Sequence, residues 1–217
     1  MTHVRTSAIV GLVLCAALTA GCSGSASGSG SGTTSDNPAS TPDKTSSTGS
    51  APNAAAPTES NPPGDIPDNQ AFVAYRPSGG FTGFTVKVPE GWARTTNGAT
   101  TVFTDKLNRI QISAATATTA PTEGSVTNTV VPQLHGQVSK FANPKVSVVQ
   151  RRAGTAVLLT YQGDSAADPV TGKVVRDAFE RYAFYRQGHE VDLTLSGPVN
   201  ADNVDPWRIV SDSFGWR

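Results

Sequence analysis

Aromatic side chains occur in only one part of this chain, and any hydrophobic core must form there. All 15 Phe, Tyr and Trp residues lie after residue 70 of the 217 residues. Residues 23–70 contain 40 that are Ser, Gly, Thr, Pro, Ala or Asn, and Ile66 is the one large apolar residue among them. Such a stretch buries too little apolar surface to offset its backbone entropy. We therefore predict a disordered tether over 22–70 and one globular domain over 71–217, long enough for a single core.

The start of the chain has the features of an export signal. A short basic beginning that contains Arg5 precedes an apolar stretch at residues 8–18. This stretch is too short to span a membrane, since a spanning helix needs about 20 apolar residues. It fits the hydrophobic region of a secretory signal instead.

A possible lipid-attachment sequence follows the apolar stretch. Residues 18–22 read Leu-Thr-Ala-Gly-Cys and resemble the bacterial lipobox of lipoproteins. The resemblance implies a signal peptide over 1–21, cleavage between Gly21 and Cys22, and lipid attachment to the Cys22 thiol. Because two or three acyl chains anchor stably where one holds only marginally, we predict a chain attached to the extracytoplasmic face of the cell membrane. An ordinary signal with an incidental cysteine is the alternative.

The tether of residues 22–70 changes composition along its length. It begins rich in Gly and Ser and becomes rich in Pro, so flexible chain should give way to stiffer, extended segments. We interpret it as a spacer that lifts the domain off the membrane. A solubilising tail without a reach requirement is the alternative.

Charge and cysteine content exclude several classes of protein. Residues 71–217 carry 15 Lys and Arg against 12 acidic residues, a net charge of +3 that is too small for a nucleic-acid-binding domain. The two cysteines, Cys15 and Cys22, both lie in the leader. We therefore expect no disulfide scaffold and no cysteine-rich zinc site in the domain. No cofactor is predicted.

Alternation of apolar and polar residues predicts about seven short, mostly antiparallel strands. Residues 84–88 and 190–196 alternate with the period of a half-buried strand. Asn97-Gly98 predicts a two-residue type I′ hairpin turn. Residues 174–186 are predicted as a long strand, with a helix as the alternative.

The first of two predicted helices lies near the middle of the domain. Apolar residues recur at helical spacing from Val126 to Phe141. Thr122 is the expected N-cap, and Pro132 should kink or split the helix.

The second predicted helix lies near the carboxyl end. Asp205 is its expected N-cap, Pro206 its first residue, and Gly215 its terminator. These elements together predict an α+β fold with a central, mostly antiparallel sheet flanked by helices.

Two segments resemble PsbP-like domains. Residues 84–92 read Phe-Thr-Val-Lys-Val-Pro-Glu-Gly-Trp, and residues 207–216 read Trp-Arg-Ile-Val-Ser-Asp-Ser-Phe-Gly-Trp. With the lipobox and the tether, the chain resembles LpqN-type lipoproteins of actinobacteria over residues 72–217. The resemblance implies an antiparallel sheet sandwiched by helices and a role in binding or assembling other proteins or in the cell envelope. It carries over no catalytic residues.

Catalytic and metal-binding patterns are sparse in the domain. It holds two histidines, His135 on the first predicted helix and His189 before a predicted strand. Glu190 and Asp192 should share the polar face of that strand, whereas His189 should point to the other face. We therefore predict no metal site, and we interpret His135 as a packed or half-exposed helix residue.

One segment combines aromatic residues with arginines. Along residues 179–186, neighbours on opposite faces of the predicted strand are both aromatic. Either both faces are covered, or one face offers a partner-binding patch of the composition found at binding hot spots. The candidate partner-binding residues are Arg181, Tyr182, Tyr185 and Arg186.

These features predict a membrane-anchored, non-enzymatic binding or assembly module for an envelope protein or an apolar envelope molecule. One alternative is an envelope hydrolase, or an enzyme that modifies lipid or carbohydrate, using a serine and His135 or His189. Another alternative is a lipid-carrying domain with a cavity between sheet and helices. The membrane, through lipid on Cys22, is the predicted partner in all three cases.

Overall fold

The computed structural model describes residues 63–168 and 171–217. The predicted signal peptide, Cys22 and most of the predicted tether lie outside the described residues. The described part forms ten strands: β1 (Phe72–Tyr75), β2 (Phe84–Pro89), β3 (Ala93–Asn97), β4 (Thr100–Asp105), β5 (Asn108–Thr116), β6 (Ala142–Arg151), β7 (Gly154–Asp164), β8 (Arg176–Arg186), β9 (His189–Pro198) and β10 (Gly215–Trp216). Its helical segments are α1 (Glu123–Ser125), a π-helical turn (Val126–Val130), α2 (Val131–Gln137) and α3 (Val204–Ser213).

Seven strands form one antiparallel sheet in the order β3-β4-β5-β9-β8-β7-β6, and β1, β2 and β10 form a small three-stranded sheet. The predicted α+β class and the antiparallel pairing are confirmed. The expected sandwich of helices is only partly correct, because strands rather than helices make up much of one covering layer. Residues 174–186 contain strand β8, so the helical alternative for them is wrong.

The two faces of the large sheet differ in chemistry. The front face, defined by Ile112, Leu193 and Phe184, packs against β1, β2, β10 and α3 and holds the larger core. Phe184 stacks on Phe214 from the end of α3, with ring centroids 4.0 Å apart. The predicted alternation of residues 190–196 is confirmed, because Leu193 and the other two apolar residues of this segment are fully buried.

The back face, defined by Gln111, Thr194 and Arg181, is covered only in part. The segment from α1 to α2 packs on it over β7 and β8, where Val126 and Leu159 form a second, smaller core. Among the described residues, no helix covers the back face over β3, β4 and β5. Its side chains there alternate with the buried front-face residues and are mostly polar.

The first predicted helix is present but shorter and interrupted. Thr122 caps it as predicted, through reciprocal hydrogen bonds with Ser125. The π-helical turn precedes Pro132, which lacks an N–H and lies in the first turn of α2. This confirms the predicted split. The helix ends at Gln137, so Phe141 lies beyond it.

The cap predicted for the second helix is wrong. Helix α3 begins two residues earlier than expected, with Asn203 rather than Asp205 at its N-cap. The Asn203 side chain caps no helical N–H; it accepts a hydrogen bond from the Ile66 N–H at 2.9 Å and donates to the Gly64 carbonyl at 3.0 Å. Tertiary contacts therefore set this helix start.

The hairpin between β3 and β4 is confirmed, but its turn lies one residue later than predicted. Asn97 pairs with Thr100, so Gly98 and Ala99 are the two loop residues. Gly98 has a φ of +57°, whereas Asn97 and Ala99 have no positive φ. A type I′ turn needs positive φ at both central positions, so the predicted turn type is wrong.

Packing against the domain begins before residue 71. Ile66, which we placed in the tether, is 4% exposed and belongs to the larger core. Asn108 and Asn203 both donate hydrogen bonds to the Gly64 carbonyl. Residues 64–66 therefore contribute to the folded domain. Within the described ranges, no helix is long and apolar enough to cross a membrane.

Candidate functional site

The register of three strands places a set of polar side chains in neighbouring rows on the back face. Gln111 on β5 pairs with Thr194 on β9, which pairs with Arg181 on β8. One row further along, Ser113 pairs with Asp192, and on the opposite side Arg109 pairs with Ser196. Because side chains alternate along a strand, these rows all point away from the front-face core.

These rows form the floor of a groove with a volume of about 330 Å³. The helical segment over β7 and β8 forms one wall, to which α2 contributes Leu134. A cavity of this size is at the lower end of the range found for small-molecule sites. Seven of its ten lining residues are polar or charged. The lining residues are Arg109, Gln111, Ser113, Leu134, Tyr161, Phe179, Arg181, Asp192, Thr194 and Ser196.

An arginine between two carboxylates lies at one end of the groove. The Arg181 Nη2 donates to Asp192 Oδ2 at 2.6 Å and lies 4.0 Å from Glu190 Oε1. The two acidic residues are two apart on β9 and therefore share its back face, as predicted. The three side chains are between 15% and 24% exposed, so water screens their interaction only in part.

The Asp192 carboxyl is held in an environment that favours its neutral form. Burial raises the pKa of Asp192 to about 6; the nearby Glu190 carboxylate acts in the same direction, and Arg181 opposes it. Asp192 Oδ1 is buried and has no hydrogen-bond partner. The Asp192 carboxyl therefore takes up a proton at a higher pH than an ordinary aspartate does.

Arg109 lies at the other end of the groove, and its side-chain partner is a neutral amide rather than a carboxylate. Its Nη2 donates to Gln111 Oε1 at 2.9 Å. Among the residues that the structure describes, it forms no ion pair. A guanidinium stays charged at any physiological pH, so this end of the groove carries an unneutralised positive charge.

Aromatic side chains form the wall beside Arg109. Tyr161 and Phe179 stack with ring centroids 4.5 Å apart and planes within 3°. Burial raises the pKa of Tyr161 to about 12, so its phenol is neutral at physiological pH. The groove thus combines hydroxyl and amide groups, the Arg109 guanidinium and an apolar wall.

The structure does not bring the four candidate partner-binding residues together in one patch. Arg181 and Tyr185 are on the back face, whereas Tyr182 is buried on the front face and Arg186 is exposed at the end of β8. The Tyr182 hydroxyl accepts from Arg151 at 2.9 Å and donates to Glu180 at 2.7 Å. A partner-binding role for these residues remains a prediction, with Arg181 as the member that lines the groove.

The two domain histidines are in unrelated positions. His135 is exposed on α2, edge-on to Phe141 at 5.8 Å. His189 lies on the opposite face from Asp192, as predicted, and stacks on Phe81 with centroids 3.8 Å apart. Within the described residues, neither histidine is hydrogen-bonded to a serine, and no group of three or more His, Cys, Asp and Glu could hold a metal ion.

Sequence reasoning missed Arg109, Gln111 and Thr194 as site residues. The local signal for part of the site was present, because the Gln187-Gly188 turn fixes how β8 pairs with β9 and so places Arg181 beside Asp192. No local signal joins β5 to β9, which are distant in sequence.

The fold and groove define an antiparallel α+β domain with a polar cavity on one face of its main sheet. No model of a known family matches the sequence, and no curated protein matches it significantly. Solved structures that resemble it include a Bacteroides thetaiotaomicron protein (10% identity, TM-score 0.46, 66% of this chain), of which the chain spans only 48%.

Two further similar structures are a PsbP-like protein and an LpqN protein. One is cyanobacterial PsbP from Synechocystis sp. PCC 6803, with 14% identity and a TM-score of 0.49 over 68% of this chain and 94% of that one. The other is LpqN of Mycobacterium tuberculosis, involved in cell envelope biogenesis, with 14% identity and a TM-score of 0.37 over 68% of this chain and 85% of that one. Membership of either family remains a prediction.

Proposed function

We propose that this protein is a lipid-anchored binding protein of the cell envelope, and that its back-face groove binds a small polar ligand without chemical conversion. The observation that carries the ligand-binding part is the groove itself, an opening of about 330 Å³ on the back face of the large sheet beside the helical segment. The lipobox sequence at residues 18–22 supports the anchoring part.

The lining of the groove favours a polar ligand over an acyl chain. A site for an acyl chain requires predominantly apolar walls, because an unpaired polar group beside hydrocarbon costs free energy. Here the apolar side chains, Leu134, Tyr161 and Phe179, form one wall, while hydroxyl, amide and charged groups form the floor. A few placed polar groups beside an aromatic surface are the usual composition of a small-molecule site.

A groove-filling substitution tests the ligand-binding part. Thr194 lies in the middle row of the groove floor, so Thr194→Phe should fill the groove. Native mass spectrometry of protein purified from its own cells should detect a bound small molecule on the wild type and none on T194F. Thr95→Phe is the matched control, because Thr95 is exposed on β3, outside the groove. Equal ligand occupancy in T194F and the wild type would contradict the proposal, provided that circular dichroism shows both folded.

A separate experiment tests the anchoring part. Mass spectrometry of the mature amino terminus should find a lipid-modified Cys22, and Cys22→Ala should move the protein from the membrane fraction to a soluble one. An unmodified amino terminus at another position would refute anchoring and leave the groove proposal intact.

A further inference from the structure

The charges around the groove are unevenly compensated. Arg181 is neutralised by Asp192 at 2.6 Å and Glu190 at 4.0 Å. Arg109, in the same groove, has only the neutral Gln111 amide as a side-chain partner among the described residues. Arg109 is exposed at its end of the groove, so an anion that enters the groove can reach its guanidinium.

Arg109 also has the neighbours that an anionic group requires. Ser196 lies directly opposite it on β9 and lines the same groove. An arginine fork with a hydroxyl beside it can hold a carboxylate or phosphate through charge-assisted hydrogen bonds. The stacked pair of Tyr161 and Phe179 would cover the apolar side of the same ligand.

The Asp192 carboxyl at the other end of the groove should respond to the charge of a bound ligand. Asp192 Oδ1 is buried without a donor, and Glu190 is two residues away on the same face of β9. An anion entering the groove would make the negative charge on Asp192 more costly, so it would favour the protonated form of this carboxyl. Anion binding and proton uptake would therefore reinforce each other.

We infer that the ligand of this groove carries an anionic group held by Arg109, and that its binding is coupled to uptake of a proton by the Asp192 carboxyl. The inference rests on the proposed function and narrows it to anionic polar ligands. On the back face, the ionisable groups of the elements around Asp192 are Glu190 on β9, Asp177, Arg181 and Tyr185 on β8, Arg109 on β5 and Tyr161 on β7, and α2 carries His135.

The probes are glucuronate and glucose, which have the same ring and differ in one carboxylate. Isothermal titration calorimetry of the full chain at pH 5.5 and 7.5 gives both affinities. In two buffers of different ionisation enthalpy it also gives the protons taken up. We expect glucuronate to bind roughly tenfold more tightly than glucose, and about fivefold more tightly at pH 5.5 than at 7.5. Glucuronate itself is ionised at both pH values, so proton uptake would come from the protein.

Four substitutions separate the parts of the inference. Arg109→Gln should abolish the preference for glucuronate, whereas Arg94→Gln should leave it unchanged, because Arg94 is exposed on β3 and pairs with Phe103 of the front face. Asp192→Asn should abolish the proton uptake and the pH dependence of glucuronate binding, and Glu190→Gln, which removes a negative charge beside Asp192, should reduce both if D192N fails to fold.

The outcomes are distinguishable from failure of the proposed function. Equal affinity for glucose and glucuronate would overturn the anionic ligand class while groove binding stands. Preferential binding of glucuronate without proton uptake would overturn the coupling alone. If T194F retains the natural ligand, the groove is not the binding site, and both proposals fail.

Discussion

Individual buried side chains determine how the segment before β1 attaches to the domain. Asn203 bonds the Ile66 N–H, the Gly64 carbonyl and the Asn108 side chain in one buried network. Gly197 makes room for this network, since an added Cβ would meet the Asn108 and Asn203 side chains. Asn203, at the start of α3, thus bonds to Gly64 and Ile66, which lie more than 130 positions before it in the chain.

The network predicts a large effect for one substitution. Asn203→Ala should lower the free energy of unfolding by about 2 kcal/mol or more, because it leaves the Ile66 N–H buried without a partner. Asn200→Ala, in the exposed turn before α3, should change it by less than about 0.5 kcal/mol. Urea unfolding of both variants checks this. Equal effects would mean that the network contributes nothing specific.

A second residue-scale prediction concerns pH. Burial raises the pKa of Asp177 to about 6, from an ordinary value of 3.8, and its Oδ1 has no partner. The folded state therefore binds this proton more tightly than the unfolded chain. The domain should lose stability as the pH rises from about 4 through 6. Asp177→Asn should remove the loss of stability that comes from ionising this carboxyl. It should therefore stabilise the domain at pH 7.5 by at most about 3 kcal/mol.

Urea unfolding at pH 4.5 and 7.5 measures the difference in the free energy of unfolding between the wild type and D177N. The gain from D177N should be clearly smaller at pH 4.5, where the wild-type carboxyl is largely protonated. Asp105→Asn, at an exposed position at the end of β4, is the control and should show no such pH dependence. Destabilisation by D177N at both pH values would contradict the prediction.

Elements with a strong local period could be predicted from the sequence, and elements made by distant pairing could not. The alternation in β2 and β9 identified both strands and their buried faces. In contrast, β1 reads Phe-Val-Ala-Tyr without alternation, and the two-residue β10 looked like the end of a helix. Both exist because β2 offers them free edges.

Two glycines should respond to the same substitution in opposite directions. A Cβ on Gly163 in β7 would clash with Val138, which packs the end of α2 against the sheet. Gly163→Ala should therefore be destabilising by about 1–3 kcal/mol. Gly136 in α2 has open space around it, so Gly136→Ala should stabilise by about 0.5–1 kcal/mol.

Thermal unfolding distinguishes the two glycine variants by the sign of the shift in Tm. Shortening Val138 should restore part of the stability lost in G163A, since Val138→Ala removes the atoms in the way. If G163A is as stable as the wild type, Val138 does not pack tightly against Gly163 of β7.

For the molecule as a whole, composition separated the core-forming region from the remainder, but it misplaced the boundary. Residues 23–70 are poor in large apolar side chains throughout, and their low average hydrophobicity cannot show that Ile66 is buried. The groove was hidden for a similar reason. Its floor combines β5, β8 and β9, whose adjacency follows from the sheet order and not from any local pattern.

The position of Ile66 predicts that the domain needs residues that composition assigns to the tether. Ile66 is 4% exposed within the larger core, so Ile66→Ala should destabilise the full chain by about 2–5 kcal/mol through the cavity it leaves. Val73→Ala is the control, because Val73 is 42% exposed on β1 and its truncation should cost little. Urea unfolding followed by tryptophan fluorescence measures both. A fragment of residues 71–217 should lose at least as much stability as I66A, since it lacks Ile66 and the bonds to the Gly64 carbonyl. Should I66A unfold at the wild-type urea concentration, the first residues of the domain would lie outside its core, and the boundary at residue 71 would be the better one.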